Sequence, residues 1–413
     1  MGVTPATQTL SIKFFEFTFT YGWRLGIVSL KFQNGLVYCM VISKAALPER
    51  LDNALSGWPL LIITALIGGV SGIMAVLLSR WVTRHGGLDS PDKHGISGMP
   101  ACRLGGVLIA SYVLFSILYY YVIAGVWMFT GTTRWVLAIG VLFFAIGLFE
   151  DIKGVLSARI RLLSMLLAVV TVLAFSSDLV IEPVGVPFFD MFLAVKWIAI
   201  PISLLCLVFL PNAFNAADGA NGLVSGTSLI VIVAMDHANM GGLTMLLDVA
   251  AVSCLIFLIY NVVTAKLFLG DGGAYFLGAL VGSAMIVASN TGALPVWYLL
   301  SLIFYPVAEF LWSIARRTLR GRSPMAADNH HLHNLVYAKL RNLTGWPIRA
   351  NTITGLGIAA LFAGLPHALW LVKGPSVEWI WIYLLQWLFY MTFWFAFRWD
   401  LFKMLTDRFS DRH

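Results

Sequence analysis

Residues 192–222 read FLAVKWIAIPISLLCLVFLPNAFNAADGANG. The first twenty positions form an apolar run with a single lysine, which is about the length of helix that crosses a bilayer. The run then gives way to a polar segment, in which Asn212, Asn215 and Asp218 repeat at i, i+3 and i+6. On a helix these side chains lie near one face. The pattern predicts a ligand-facing break between two membrane spans rather than a plain connector.

The composition of the whole chain points the same way. Of its 413 residues, 59% are hydrophobic and 11% are charged, and the mean hydropathy is +0.85. A soluble globular protein carries roughly 25% charged residues, so this chain lacks enough polar surface to face water on all sides. Because its long apolar runs do not alternate with polar residues, helices are favoured over a β-barrel. The predicted fold class is an all-α polytopic membrane protein.

About eleven apolar runs are long enough to be transmembrane helices. They lie near residues 59–81, 104–128, 134–149, 161–180, 192–211, 223–240, 245–262, 274–290, 295–315, 351–372 and 378–397. The predicted domains are an N-terminal extension over 1–58, a transmembrane domain over 59–397 and a tail over 398–413. The extension is expected to be poorly ordered or interfacial, since its basic residues fall on the predicted outer side.

The net charge of +7 comes from basic residues concentrated in a few loops and in the tail. The loops 80–103, 150–161 and 316–350 are basic, whereas 181–191 and 290–294 carry almost no positive charge. Basic loops favour the cytoplasmic side, so these loops and the C-terminus are predicted to lie there. Membrane topology and anionic ligands explain the charge, and no nucleic-acid partner is expected. The four cysteines lack CxxC spacing, which argues against a disulfide framework and a zinc site.

Five segments on the predicted cytoplasmic side carry acids, amides, histidines or glycines. The first runs from Asp89 to Gly106 and has Arg103 before Gly105 and Gly106. An arginine beside glycines suits a phosphate, and a snorkelling arginine in an ordinary loop is the alternative.

The second segment is the pair Glu150 and Asp151 at a span end, which suits a divalent cation or a base. A solvated span end explains the pair equally well. The third is the polar segment after residue 211, with Asn221 following Asp218.

The fourth segment places Asp271 among glycines, five residues after Lys266. This suits a diphosphate and Mg²⁺, although a glycine-framed acid alone is a turn about as often as a site. The fifth runs from Arg322 to His331 and His333. Its histidines lack the i, i+4 spacing of a zinc site, so contacts to a phosphate are favoured over zinc. Two roles remain open for Glu309, in the preceding span: packing support and substrate contact.

In this order and spacing the five segments resemble the bacterial polyprenyl-phosphate N-acetylhexosamine-1-phosphate transferases of the WecA- and MraY-like superfamily, glycosyltransferase family 4. The resemblance covers residues 59 to about 340 and looks closer to the WecA branch. It implies that the domain 59–397 is catalytic, with its loops on the cytoplasmic side of a bacterial inner membrane. Glu150 where most members have Asp, Asn221 where many have Asp, and Asn334 in place of a third histidine depart from the family pattern.

The implied reaction is the transfer of a sugar-1-phosphate, GlcNAc-1-phosphate or a related N-acetylhexosamine-1-phosphate, from a UDP-sugar to undecaprenyl phosphate. UMP is released, and a lipid-linked glycan (O-antigen, capsule or exopolysaccharide) is begun. The implied cofactor is Mg²⁺, with Mn²⁺ as the alternative. The other implied partners are membrane lipids, and a homodimer is left open.

The resemblance also implies roles for individual residues. Glu150, Asp151 and Asp271 would be catalytic, and Asp271, Asn215 and Asp151 would hold the metal. The substrate-binding residues would be Arg103, Arg161, Asn212, Asn215, Asp218, Asn221, Lys266, Arg322, His331 and His333. Three alternatives remain: an MraY-type phospho-MurNAc-pentapeptide transferase, an ion-coupled transporter and an inactive membrane scaffold.

Overall fold

A computed structural model describes residues 9–14, 17–22, 27–32, 37–41, 66–73, 77, 102–125, 131–238, 240–324 and 328–410. The first predicted span, near 59–81, falls largely outside these ranges, although residues 66–73 are helical. The part of the first polar segment that precedes Cys102 also lies outside the described residues.

Four short strands lie in the N-terminal extension. They are β1 Thr9–Phe14, β2 Phe17–Gly22, β3 Ile27–Phe32 and β4 Val37–Val41. The strands pair in chain order as an antiparallel sheet. Their β-branched and aromatic residues suit a pleated backbone. A poorly ordered or interfacial segment is expected from the sequence, and the backbone described here is a small sheet.

The remaining described elements are helical. They are α1 Gly105–Ala124, α2 Gly131–Lys153, α3 Ala158–Phe175, α4 Pro187–Leu193, α5 Lys196–Ala217, α6 Leu223–Met235, α7 Gly242–Thr264, α8 Gly270–Asn290, α9 Val296–Leu302, α10 Phe304–Leu319, α11 Leu332–Thr344, α12 Pro347–Ala359, α13 Leu365–Lys373 and α14 Trp379–Ser410. Short 3₁₀ turns lie at Ser177–Leu179, Asp236–Ala238 and Gly374–Ser376, and a π turn, Ala360–Gly364, joins α12 to α13.

Within the described ranges, eight helices are long and apolar enough to cross a membrane: α1, α2, α3, α5, α7, α8, the continuous α12–α13 unit and α14. The pair α9 and α10 makes a ninth if it is one span, bent by 74° at Ile303. Helix α6 occupies the predicted span 223–240 but has 13 residues. The polytopic helical fold is confirmed, whereas the number of eleven spans is not.

Helix α8 forms the centre of the bundle, with 89% of its apolar window buried. It packs against α2, α5 and α1. At its first turn the backbones come close together, because a β-carbon at Gly106 would overlap the backbone of Gly273. The N-terminus of α8 is therefore held beside the start of α1 and the end of α2.

The helix ends place the polar segments on one side of the bundle. Helices α1, α3, α6 and α8 begin on this side, and α2, α5 and α7 end on it. Helix α7 ends at Thr264 and is followed by Ala265, which has a φ of 49° and is the one non-glycine residue with a positive φ among those described. The segment with Lys266 and Asp271 follows directly. The predicted polar segments thus share one end of the bundle as far as the structure describes them.

Candidate active site

Asp151 anchors the start of α8. Its carboxylate accepts hydrogen bonds from the backbone N–H groups of Asp271, at 3.0 Å, and Gly272, at 2.8 Å. The first N–H groups of a helix have no partner within the helix, so an acid at this point satisfies them. Gly270, with a φ of 75°, makes the turn into the helix beside the carbonyl of Arg103. Asp151 thus fixes the position of Asp271 from a neighbouring helix.

Asp271 projects from this first turn toward two other elements. Arg161, at the start of α3, donates from its guanidinium to the Asp271 carboxylate at 2.5 Å. The same guanidinium lies 3.4 Å from the hydroxyl of Tyr275, which accepts a hydrogen bond from Asn215 at 3.0 Å. Asp271, Arg161 and Asn215, three residues that are far apart in the chain, therefore meet around one carboxylate.

The first polar segment joins the loop before α8. Cys102 accepts a hydrogen bond from the N–H of Phe268 at 2.8 Å, and the N–H of Gly105 donates to the carbonyl of Phe268 at 2.8 Å. The N–H of Gly106 donates to Leu269 at 2.9 Å. This short ladder carries Arg103 to the rim of the same site.

Buried amides hold the loop that follows α5. Asn351, on α12, accepts the N–H of Asn221 at 2.6 Å, and Asn261, on α7, accepts the N–H of Gly222 at 2.8 Å. Asn261 also donates to the carbonyl of Leu267 at 2.8 Å, so it ties this loop to the one before α8. Buried backbone groups need such partners, and here side-chain amides supply them.

These segments enclose a cavity of about 170 Å³. Its wall includes Arg103, Asn215, Asp218, Gly219, Ala220, Asn221, Gly222, Val224, Ser225, Phe257, Asn261, Phe268, Leu269, Gly270, Asp271 and Asn351. Burial raises the pKa of Asp218 to about 7, with the negative charge of Asp271 adding to the effect and Arg103 opposing it. Two acids and an arginine thus share one small cavity that also carries neutral amides.

The histidine segment is organised by Glu309, which is fully buried on α10. Its carboxylate accepts hydrogen bonds from the Nδ1 of His331 at 3.0 Å, from the N–H of Leu332 at 2.8 Å and from the hydroxyl of Tyr390 at 2.9 Å. A carboxylate can accept several such bonds, and leaving one donor unpaired in a buried site is costly. Of the two roles left open for Glu309, these contacts favour packing support.

His333 lies closer to the cavity than His331. Its Nδ1 is 2.9 Å from the hydroxyl of Tyr305, and a β-carbon at Gly219 in the cavity wall would overlap its ring. Burial lowers the pKa of His333 to about 3, and His331 adds to the effect. His333 is therefore a neutral ring that packs on the wall, and it carries no positive charge for a phosphate near neutral pH.

An ion pair between an arginine and an acid supports the histidine segment. Arg316 donates to Asp328 at 2.7 Å and to Glu309 at 3.3 Å. Burial alone would raise the pKa of Asp328, but hydrogen bonds from Arg316 and Ser313 hold it below its ordinary value. Helix α14 closes the cluster, because Trp394 donates to the carbonyl of His330 at 2.9 Å.

Several residues singled out in the sequence have other partners. Glu150 accepts the N–H of Leu156 at 2.8 Å, so it braces the turn between α2 and α3. Asn212 donates to the carbonyl of Val208 at 2.8 Å within its own helix. It does not lie in the cavity wall with Asn215. Because α5 ends at Ala217, the expected helical stripe also stops before Asp218.

Four more residues have surroundings that differ from those expected for their predicted roles. The carboxylate oxygens of Asp151 face backbone N–H groups, so a metal-ligand role would compete with these bonds. Lys266 is exposed and outside the cavity wall, and so is Arg322. His331 points its Nδ1 at Glu309. The structure therefore brings Arg103, Arg161, Asn215, Asp218, Asn221, Asp271 and His333 to or beside the cavity.

Two residues at the site escaped the sequence analysis. Tyr275 lies one turn after Asp271 and bonds both Asn215 and Arg161. Asn351 is a buried amide in the first turns of an apolar helix. A polar residue inside an apolar span, such as Asn351, is itself a signal of function.

The residues present fit a divalent cation in part. Among the described residues no group of three or more His, Cys, Asp or Glu side chains is placed to hold a metal. The oxygen donors at the cavity include the carboxylates of Asp218 and Asp271 and the amide of Asn215. Mg²⁺ usually takes one or two carboxylates and completes its shell with water and substrate phosphates, which matches this sparse set.

Residues 133–289 match the family model for glycosyl transferase family 4. A decaprenyl-phosphate N-acetylglucosaminephosphotransferase of Mycolicibacterium smegmatis is 30% identical over 308 residues, which cover 65% of this chain and 74% of that protein. The chain belongs to glycosyl transferase family 4. Four of the site residues, Arg161, Asn215, Asp218 and Asp271, lie inside the matched segment.

Two further relatives differ in how much of this family 4 chain they match. A probable undecaprenyl-phosphate N-acetylglucosaminyl 1-phosphate transferase of Bacillus subtilis is 28% identical over 303 residues, covering 71% of this chain and 79% of that protein. A phospho-N-acetylmuramoyl-pentapeptide-transferase of Acetivibrio thermocellus is 33% identical over 134 residues, covering 31% of this chain and 41% of that protein. The longer matches are to N-acetylglucosamine-phosphate transferases.

Proposed function

We propose that this family 4 enzyme transfers N-acetylglucosamine-1-phosphate, or a related N-acetylhexosamine-1-phosphate, from a UDP-sugar to undecaprenyl phosphate. The observation that carries the proposal is the meeting of four distant polar segments around one cavity at one end of the bundle. The end of a transmembrane bundle lies at the membrane surface, where a water-soluble nucleotide and a lipid headgroup can both reach one site. The names of the long-matching relatives support this substrate class.

The reaction joins two anions. An oxygen of the lipid phosphate forms a bond to the β-phosphorus of the UDP-sugar. The bond from that phosphorus to the oxygen bridging the α-phosphate breaks, and its electron pair leaves with UMP. Arg103 and Arg161 would offset the repulsion between the phosphates, which is large in a partly buried site.

The lipid phosphate needs little help to become a nucleophile. The second pKa of a phosphate monoester is about 6, so it is largely ionised near neutral pH. Asp151 is engaged by backbone N–H groups and Glu150 by Leu156, and neither contact is that of a free base. These contacts support direct attack, with both acids holding the site in shape.

A divalent cation is part of the proposal. Asp271, Asp218 and Asn215 would hold Mg²⁺, which would neutralise diphosphate charge when bound. Asp271 would then be shared between the cation and Arg161. The basic loops at this end support a site at the cytoplasmic face of a bacterial inner membrane. The product would begin a lipid-linked glycan.

The competing substrate is UDP-MurNAc-pentapeptide, because relatives named for that activity match over shorter stretches. Purified enzyme is given undecaprenyl phosphate with either radiolabelled UDP-GlcNAc or the pentapeptide nucleotide, with Mg²⁺ and with a chelator. We expect labelled lipid and UMP from UDP-GlcNAc in the presence of Mg²⁺. Transfer from the pentapeptide nucleotide alone would overturn the substrate, and full activity in the chelator would overturn the cation.

A further inference from the structure

One buried amide at the cavity has an unused donor. Asn351 lines the cavity, and its side chain is 1% exposed. Its Oδ1 accepts the N–H of Asn221 at 2.6 Å. Its Nδ2 has no hydrogen-bond partner among the described residues. Buried polar groups almost always have partners, so an unpaired donor in a cavity wall is a group that an acceptor on a bound ligand would satisfy.

The orientation of this amide is fixed. If the Asn351 side chain were reversed, its NH₂ group would face the N–H of Asn221, and two donors would meet. The backbone of the loop therefore holds Oδ1 toward Asn221 and leaves Nδ2 as the unpaired end of a side chain in the cavity wall. Asn221, 2% exposed, adds an unpaired Oδ1 nearby.

The surroundings favour a neutral acceptor over a phosphate. The structure gives Asn351 contacts to the loop at Asn221 and none to a charged side chain. Phe257 and Val224, both buried, contribute an apolar part of the same wall. A phosphate is best bound by cations and several donors, whereas one amide donor with no charged partner suits a neutral carbonyl oxygen.

We propose that Asn351 is a specificity-determining residue that donates from Nδ2 to an amide-type carbonyl oxygen of the sugar nucleotide. This inference rests on the proposed function, since a UDP-N-acetylhexosamine carries such carbonyls in two places, the uracil ring and the acetamido group. Both have the same chemistry. A site built to hydrogen-bond a group discriminates strongly against analogues that lack it.

Binding of nucleotides to the purified enzyme, without lipid acceptor, tests the proposal. Asn351→Asp keeps the shape and the acceptor for Asn221 but removes the N–H donor. The matched control is Thr354→Val, one turn along α12, because the Thr354 hydroxyl is buried and bonds the carbonyl of Ala350 in its own helix. We expect Asn351→Asp to weaken UDP-GlcNAc binding about 10- to 100-fold, and Thr354→Val to change it less than about twofold.

Two probes identify the carbonyl. If UMP binding weakens in parallel, the partner is a uracil carbonyl. If UMP binding is unchanged and the preference for UDP-GlcNAc over UDP-glucose is lost, the partner is the acetamido carbonyl. UMP and UDP-GlcNAc binding both within twofold of the native enzyme would overturn the inference.

A second measurement does not depend on folding of the variant. The native enzyme is titrated with UDP-GlcNAc beside UDP-glucose, and with UMP beside its 2-thio and 4-thio analogues, whose sulfur is a weak acceptor. At least one replacement should weaken binding about tenfold, and equal binding of all analogues would overturn the proposal. Because no transfer is measured, a failed transfer assay with intact nucleotide discrimination would count against the proposed reaction and leave Asn351 in place.

Discussion

At the scale of single residues, Asp271 connects several parts of the site. Its backbone N–H is bonded by Asp151 and its carboxylate by Arg161. The carboxylate also lies in the cavity wall with Asp218. Helix-start geometry, a counter-charge and a second acid therefore all act on one side chain.

We expect Asp271→Asn to reduce UMP release about 10²- to 10³-fold, because the amide keeps the shape but removes the charge that would balance the cation and Arg161. The measurement is UMP release per mole of folded enzyme. Glu378→Gln, an exposed acid at the other end of the bundle, is the control and should keep full activity. Full activity in Asp271→Asn would refute its assignment to the metal.

Asp218 makes the site sensitive to pH. Its pKa in the folded protein is about 7, above the ordinary value near 3.9 in an unfolded chain. The protonated form is thus favoured by folding, and its contribution to stability is lost as the pH rises from about 4 through 7. Without Mg²⁺, thermal stability should fall over this range, and Asp218→Asn should flatten the decline. Identical stability profiles for native and Asp218→Asn protein would contradict this.

At the scale of elements, α10 and α14 together support the histidine segment. Glu309 accepts hydrogen bonds from His331, Leu332 and Tyr390, while Arg316 bridges Glu309 and Asp328. Removing either acid leaves Arg316 with one buried partner. Glu309 bonds the His331 side chain, whereas Asp328 bonds only the backbone N–H of His330 in this segment. This difference separates support of the fold from positioning of the site.

We therefore expect Glu309→Gln and Asp328→Asn to lower stability by similar amounts, about 3 kcal/mol each for a broken buried pair. Glu309→Gln should in addition lower kcat about tenfold or more in the fraction that remains folded, with a smaller change in KM. The readouts are thermal unfolding and steady-state kinetics on both variants. Equal kcat in the two variants would reduce Glu309 to a purely structural residue.

At the scale of the whole molecule, hydropathy predicted the polytopic helical fold but not the number of spans. The predicted run 223–240 contains α6, and the run 274–290 lies inside α8. The break within 295–315 was not predicted, because hydropathy is continuous there. The chain bends at Ile303, just before Pro306, whose missing N–H suits the first turn of a new helix.

The candidate site was predictable to a similar degree. The sharing of one membrane side by the polar segments could be inferred from basic loops and span number. The hydrogen-bond partner of each side chain could not be inferred. Asp151 meets the N-terminus of α8, and Asn351 meets Asn221, through contacts between helices more than 100 residues apart in sequence. Such pairs depend on how the helices pack, which a single sequence does not encode in a local pattern.

The orientation of the bundle can be tested with single cysteines. Leu343, exposed on α11, lies on the side of the basic loops, and Ala293, exposed before α9, lies on the other. In intact cells a membrane-impermeant maleimide should label Ala293→Cys, whereas Leu343→Cys should require permeabilised membranes. The reverse labelling would place the site outside the cytoplasm.

The left-handed Ala265 at the end of α7 has a practical consequence for anyone purifying this protein. A left-handed conformation costs an L-residue about 1–2 kcal/mol, while glycine adopts it freely but gains about 0.5–1 kcal/mol of freedom in the unfolded chain. Ala265→Gly should therefore raise the free energy of unfolding by about 0.5 kcal/mol. A slightly higher melting temperature in detergent would show it, with nucleotide binding unaltered, and a lower one would mean that the neighbouring loop depends on the alanine methyl group.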